Sequence, residues 1–228
     1  MTRDDLILAI ETSNPSAPMP ASALTGPGVC LLGHTGVRAH APLEPVDRHD
    51  DALLPAIDRA CAAAGAGGAA RADLTRVGVS VGPGGYTSVR IAVSVAKSIA
   101  EALGIGCVGV PTAHALVRAS AIDGRSLVAL AWKRDDVWVQ AFDGGREESP
   151  GRVVGLDDLP AVSDGRTLIA EHRLRERIDH VGAWADPVFS AEAVALLARE
   201  ADAVDPSALL PLYPREPEAV RKWRAIRR

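Results

Sequence analysis

The sequence predicts an α/β protein: a mixed β-sheet flanked by helices, with a second, smaller lobe after it. Three observations carry this reading. The chain opens with three short apolar runs parted by turn-forming residues, a hairpin-rich β pattern. From residue 50 onward, stretches of helical and strand-like periodicity alternate. Near Val108 a second mixed set of strands and helices begins, with no long linker and no short repeat before it.

In order, residues 6–10 (LILAI) read as a buried strand, ended by the polar turn formers Glu11, Thr12, Ser13 and Asn14. Residues 15–28 form a loop rich in Pro, Ser, Ala and Gly. Strands follow at 29–32 and 37–41 around a turn from Gly33 to Gly36. Asp50 or Asp51 caps a helix to about Ala64, with Leu53, Leu54, Ile57, Ala60, Cys61 and Ala64 at helical spacing. Residues 77–81 (VGVSV) form the strongest strand. A glycine run follows, and Thr87 or Ser88 caps a long helix to about Leu103, which Gly104 stops. Residues 107–110 are another strand and 113–119 a short helix. Residues 127–132 and 137–142 pair as a hairpin, and 167–170 form a strand. Ser190 caps a helix to about Ala203, and a last helix spans roughly 217–226.

Composition narrows the function classes. With 228 residues, 47% hydrophobic and only 4% aromatic, the chain has ample material for a core filled by small side chains. The formal charge of −4 is too mild to mark a nucleic-acid binder. Its distribution is uneven, however. Residues 211–228 hold six basic residues against two acids, a net +4, which leaves −8 on the rest. A basic tail on an acidic body suits RNA or an acidic partner, and suits equally a solvated helix face. Cys30, Cys61 and Cys107 are isolated and odd in number, which fits neither a disulfide framework nor a zinc site and points to a reducing compartment. Asp4 and Asp5 ahead of a short apolar run are unlike a signal peptide, and Lys97 and Glu101 interrupt the longest apolar stretch. The expectation is a cytoplasmic protein with no membrane segment.

Three groups of residues invite a chemical reading. Gly82, Gly84, Gly85, Thr87 and Ser88 lie between a strand and a helix N-terminus, where unpaired N–H groups can converge on an anion. The run lacks the Gly-Lys-Ser/Thr of a P-loop and the third glycine of a dinucleotide fingerprint. A plain sharp turn fixed by Pro83 explains the glycines as well. Glu11, Thr12 and Ser13 at the end of the first strand can hold a metal-bound phosphate or satisfy a turn. The histidines His34, His40, His49, His114, His172 and His180 show no metal-ligand spacing, and no Gly-x-Ser-x-Gly is present. Neither catalytic residues nor a metal site is expected.

The segments LAIETS, HDDALLPAIDRACAAAG, VGVSVGPGGYTSVRIAVSVAKSIAEALGIGCVGVPTAHAL and PLYPREPEAVRKW follow one another in order. Together they resemble the family known as TsaB or YeaZ, over most of residues 6–118 and again over 211–228. Residues 123–205 match only in general character, and the insert at 15–28 departs from the family's tight hairpin. The resemblance implies the actin/hexokinase-like ATPase (ASKHA) fold, two lobes each with a mixed sheet and flanking helices. Residues 1–106 would form the first lobe, rejoined by a helix at 208–228, and 107–207 the second, more diverged lobe.

What the resemblance implies about function is specific. The family supplies a non-catalytic partner of the TsaD-like subunit that transfers threonylcarbamoyl to adenosine 37 of tRNAs reading codons that begin with A. That relative carries two metal-binding histidines four residues apart after a Gly-Val strand. Here Thr112 and Leu116 stand at those places, and neither binds a transition metal as imidazole does. The implied partners are the TsaD-like subunit, an ATPase subunit (TsaE-like), tRNA through the complex, and a second copy when the chain is alone. No cofactor is required by the chain itself, although ATP or ADP could lie at the complex interface. The expected pairing surface combines Leu53, Ile57, Ala60 and Cys61 with Ala92, Val95, Ala96 and Ile99. Apolar or small residues beyond one stripe (Val89, Ile91, Val93, Ser94 and Ala100) motivate that second face. The tRNA contacts expected are Arg221, Lys222, Arg224, Arg227 and Arg228. The competing readings are an independent enzyme of the same fold, a small kinase or peptidase-like hydrolase, and a purely structural homodimer.

Overall fold

The computed structural model describes residues 5–14, 27–43, 49–64, 71–179, 182–214 and 223–224. A five-stranded sheet comes first, built from β1 (Ile7–Glu11), β2 (Gly28–Gly33), β3 (Gly36–Pro42), β4 (Arg76–Gly82) and β5 (Gly106–Pro111). Its order is β3-β2-β1-β4-β5. The first three strands are antiparallel neighbours, while β4 runs parallel to both β1 and β5. Side chains of β1 alternate between two buried faces. Leu8 and Ile10 join Val29, Leu31, Val77 and Val79 beneath α1 (His49–Ala64) and α2 (Tyr86–Leu103). Ile7 and Ala9 join Cys30, Leu32, Val108 and Val110 on the opposite face.

The second sheet comprises β6 (Arg125–Lys133), β7 (Asp136–Asp143), β8 (Arg146–Glu147), β9 (Arg152–Gly155), β10 (Thr167–Ala170) and β11 (Trp184–Ala185). Its order is β11-β10-β6-β7-β8, with β9 also paired to β7. Here too an antiparallel run from β6 through β7 to β8 meets parallel β10 and β11. The two sheets therefore repeat one topology, with β6 in the place of β1 and β10 in the place of β4. The helices follow the same repeat. α3 (Thr112–Ser120) succeeds the last strand of the first sheet, and α6 (Ala191–Glu200) succeeds the last strand of the second. Between them in sequence lie the short α4 (Leu159–Ser163) and α5 (His172–Arg175).

Two elements cross the expected lobe boundary at residue 106/107. β5 is part of the first sheet, because the β4–α2–β5 crossover returns it parallel beside β4. α6 also packs on the first sheet, through Ala191, Val194, Ala195 and Ala198. Small residues make that approach close: a Cβ placed on Gly78 would lie 2.6 Å from Ala198 Cβ. Arg76 then caps the helix end, donating at 2.6 Å to both Ala198 O and Ala201 O. α3 packs where the boundary expects it, since Ala113, Leu116 and Val117 share a core cluster with Val128, Leu130 and Phe142 of the second sheet.

The chain then returns along the free edge of the first sheet. Cys107 and Val204 exchange both backbone bonds, at 3.0 and 2.7 Å. After a 3-10 turn at Pro206–Ala208, Leu209 is buried in the first core and Leu212 N donates to Val81 O at 2.7 Å. The helix expected at 217–226 lies outside the described residues except for Trp223 and Arg224, which are helical. Among the described residues no helix is long and apolar enough to cross a membrane.

Candidate functional site: the glycine loop and the outer faces of α1 and α2

The C-terminal ends of β1 and β4 meet the starts of α2 and α3 in a buried polar cluster. Glu11, Thr12, Ser13, Ser80 and Thr112 are each at most 1% exposed. Glu11 Oε1 accepts from both Ser13 N and Ser13 Oγ at 2.6 Å. Its other oxygen is buried without a hydrogen-bond partner. Burial raises the Glu11 carboxyl above its usual range, against the opposing pull of the Ser13 hydroxyl, the Ser13 N–H and the Ser80 hydroxyl. Ser80 in turn shares a 2.9 Å hydrogen bond with Thr112, and Thr12 Oγ1 donates to Ser88 O at 3.3 Å.

This cluster shows what the glycines do. Ser13 lies across the loop, and its carbonyl accepts from Gly85 N at 2.7 Å. A Cβ on Gly84 would sit 2.8 Å from Ser13 Cβ and closer still to the Ser13 carbonyl oxygen. Gly82 has a φ of 100°, and the Gly82–Pro83 peptide is cis. At Gly84 and Gly85 the space and the N–H group that an anion would use are thus taken by the β1 turn. The cap also differs from expectation. Gly85, not Thr87 or Ser88, is the N-cap of α2, and it makes no side-chain cap bond. Ser88 is buried and donates from Oγ back to Gly85 O, while Thr87 is exposed.

The expected pairing surface divides. Leu53, Ile57, Ala60, Cys61, Ala92 and Ala96 are all buried in the first core, so they cannot meet another chain. Val95 and Ile99 are half-buried beside that core. The surplus of apolar positions has an internal cause. α2 has the sheet beneath it, α1 on the same face, and the returning segment held by Lys97, whose Nζ donates to Ser207 O and Leu209 O. What faces outward on α2 is a ridge at four-residue spacing: Tyr86, Arg90, Ser94, Ser98 and Ala102, all exposed, with half-buried Ile91, Val95 and Ile99 beside it. Among the described residues of α1, Leu54 is a large hydrophobic left exposed, with the small Ala62 and Ala63 also outside.

Other candidates settle into structural places. Thr112 and Leu116 are fully buried, one bonded to Ser80 and the other packed against the second sheet. His114 stands edge-on to Phe142 with Nε2 3.4 Å from Glu147; burial lowers its pKa against the opposing pull of Glu147. Burial pushes the Cys30 thiol up to about 12 and Cys107 up to about 11, and it also raises Cys61, so none is a ready thiolate nucleophile. Of the tail cations, Arg224 is exposed, and Arg221, Lys222, Arg227 and Arg228 lie outside the described residues. One grouping escaped the sequence reading because its members are far apart in the chain. Tyr86 and Tyr213 stack with ring centroids 5.2 Å apart, and Arg90 lies 5.1 Å from the Tyr86 centroid.

Solved structures share this two-lobed topology. An uncharacterised Pseudomonas aeruginosa protein with similarity to peptidase YeaZ superposes with a TM-score of 0.74 at 21% identity, covering 92% of this chain and 100% of its own. YeaZ from Pseudomonas aeruginosa gives 0.73 at 20% identity, covering 92% and 99%. This is a YeaZ-like chain in fold. The expected actin/hexokinase-like class, with two mixed sheets and flanking helices, therefore holds. Residues 39–141, less than half of the chain, match the family described as TsaD, tRNA N6-adenosine threonylcarbamoyltransferase. Proteins of Mycobacterium bovis and Mycobacterium tuberculosis, both described as uncharacterised, are 29% identical over 216 residues, 93% of either length.

Proposed function

We propose that this YeaZ-like chain acts in threonylcarbamoyladenosine formation on tRNA as a non-catalytic subunit that pairs with a TsaD-like transferase. The match of residues 39–141 to the transferase family supports the pathway. One structural observation carries the non-catalytic part. Where the transferase relative would present two metal-binding imidazoles, this chain buries a threonine hydroxyl bonded to Ser80 and a leucine packed in a core cluster. Neither side chain is a transition-metal ligand, and neither reaches solvent.

Pairing uses the outer surface of α1 and α2. Ser94, Ser98 and Ala102 give a low ridge that lets a second helix approach closely, and Ile91, Val95, Ile99 and Leu54 add apolar area around it. The same surface pairs two copies when the transferase is absent. The test is a reconstitution: this chain, a TsaD-like subunit, a TsaE-like ATPase, threonylcarbamoyl-adenylate and unmodified tRNA, with each component omitted in turn. Modified adenosine should form only when the transferase is present, and faster with this chain than without it. Product formed by this chain and the adenylate alone would overturn the proposal.

A further inference from the structure

We propose that Tyr213, Tyr86 and Arg90 form a stacking platform for an unpaired base of RNA, with the choice of RNA resting on the tRNA reading above. Tyr86 opens α2 and is 56% exposed, and Tyr213 is 39% exposed. The two rings stack at 5.2 Å with a 35° tilt. Arg90 both lies over the Tyr86 ring and donates to its hydroxyl at 3.0 Å. The platform is rigid at its base. Leu209 is buried in the core, and the bond from Leu212 N to Val81 O fixes the residue before Tyr213.

Charge favours a polyanion at this place. Arg90 contacts the neutral Tyr86 hydroxyl and ring, which brings a cation beside the two aromatic faces. The chain that continues from Tyr213 is the basic end of an otherwise acidic protein, six cations against two acids over residues 211–228. An exposed aromatic face beside a guanidinium, at the root of a basic tail, is the combination by which proteins hold single-stranded nucleic acid. The ring stacks on any base, and the cations follow the backbone. Exposed Leu210 and Leu212 beside the rings raise the other occupant, a protein partner, as the rival outcome.

The experiment measures binding of a fluorescein-labelled single-stranded oligoadenylate to the full chain alone, by anisotropy over a salt series. Tyr213→Leu keeps apolar bulk and removes the π face, so affinity should fall about tenfold with the salt slope unchanged. Tyr213→Phe should bind like the parent. Arg90→Gln should lower the slope by about 0.7, one phosphate contact. Circular dichroism of each variant reports folding. Equal affinity of Tyr213→Leu and parent, or no binding by the parent at low salt, overturns the platform. Loss of the TsaD-like partner by Tyr213→Leu with oligoadenylate binding unchanged would also overturn it and assign the patch to a protein. Because the chain is assayed alone, these outcomes stand whether or not pairing with the transferase succeeds.

Discussion

Substitution of Gly84 by alanine separates a packing role for the glycine loop from an anion-binding one. The added methyl would sit 2.8 Å from Ser13 Cβ and closer to the Ser13 carbonyl, where backbone and not a flexible side chain must yield. Forcing one extra carbon into such a contact costs about 1–3 kcal/mol. Shifting Ser13 also weakens the bond from Gly85 N to Ser13 O, worth about 1 kcal/mol. The smaller conformational freedom of unfolded alanine returns about 0.4–1 kcal/mol. The net loss is then about 1–3.5 kcal/mol, a fall in Tm of about 2–14 °C for a chain of this size. Thermal unfolding followed by circular dichroism measures it, with urea unfolding as a second readout. A Gly84→Ala protein within about 0.5 kcal/mol of the parent would refute the packing argument.

Further outcomes follow from the same geometry. A raised carboxyl pKa means that the folded state holds the Glu11 proton more tightly than the unfolded chain, so its contribution is present at low pH and declines as pH rises above the ordinary value of 4.5. Glu11→Gln keeps an acceptor for Ser13 and removes that titration; the Tm difference between variant and parent should therefore shift in the variant's favour from about pH 4 to 7, and a constant difference would contradict it. Arg76→Met removes the charged donor at the end of α6 and should cost about 1.5–3 kcal/mol in urea unfolding; no change would show that Ala198 O and Ala201 O are satisfied by water. With Thr112 and Leu116 buried where the relative has histidines, elemental analysis of the purified chain should find no stoichiometric zinc or iron, and one metal per chain lost on His114→Ala would sink that expectation.

Much of the fold could be read from the sequence because its strongest signals are local. The buried strands and the long helices α1, α2 and α6 show their periodicity over whole elements, and Ser190 caps α6 by accepting from Ala193 N as its position implied. β8, β9, α4 and α5 were not legible: they span two to five residues and are held by neighbours such as Trp138, which packs against Gly151. The lobe boundary failed for a related reason. Nothing local tells β5 or α6 which sheet it will join; the crossover geometry and the small Gly78–Ala198 contact decide that. Six of the eight expected pairing residues failed on burial, while Val95 and Ile99 stay half-exposed. Periodicity finds the most apolar stripe of a helix, which is the stripe its own core takes, so Ala92 and Ala96 went inward and the ridge through Ser94 and Ser98 was left outside. The buried state of Glu11 and the Tyr86–Tyr213 stack depend on distant segments meeting, and no spacing rule reveals them.

The central claim, that the part of the α2 ridge formed by Ser94, Ser98 and Ala102 is the pairing surface, is tested by a matched pair of charge insertions in size-exclusion chromatography with light scattering. In Ser98→Arg the new side chain stays solvated in the free protein but becomes a buried unpaired charge on pairing, a penalty of about 3–5 kcal/mol. Ala96→Arg instead places the charge in the core, where Ala96 is 0% exposed. The parent should co-elute with a TsaD-like subunit, and Ser98→Arg should keep the parent's circular dichroism while eluting apart from it, whereas Ala96→Arg should lose the fold. A folded Ser98→Arg protein that still co-elutes with the transferase at the parent's affinity would contradict the account.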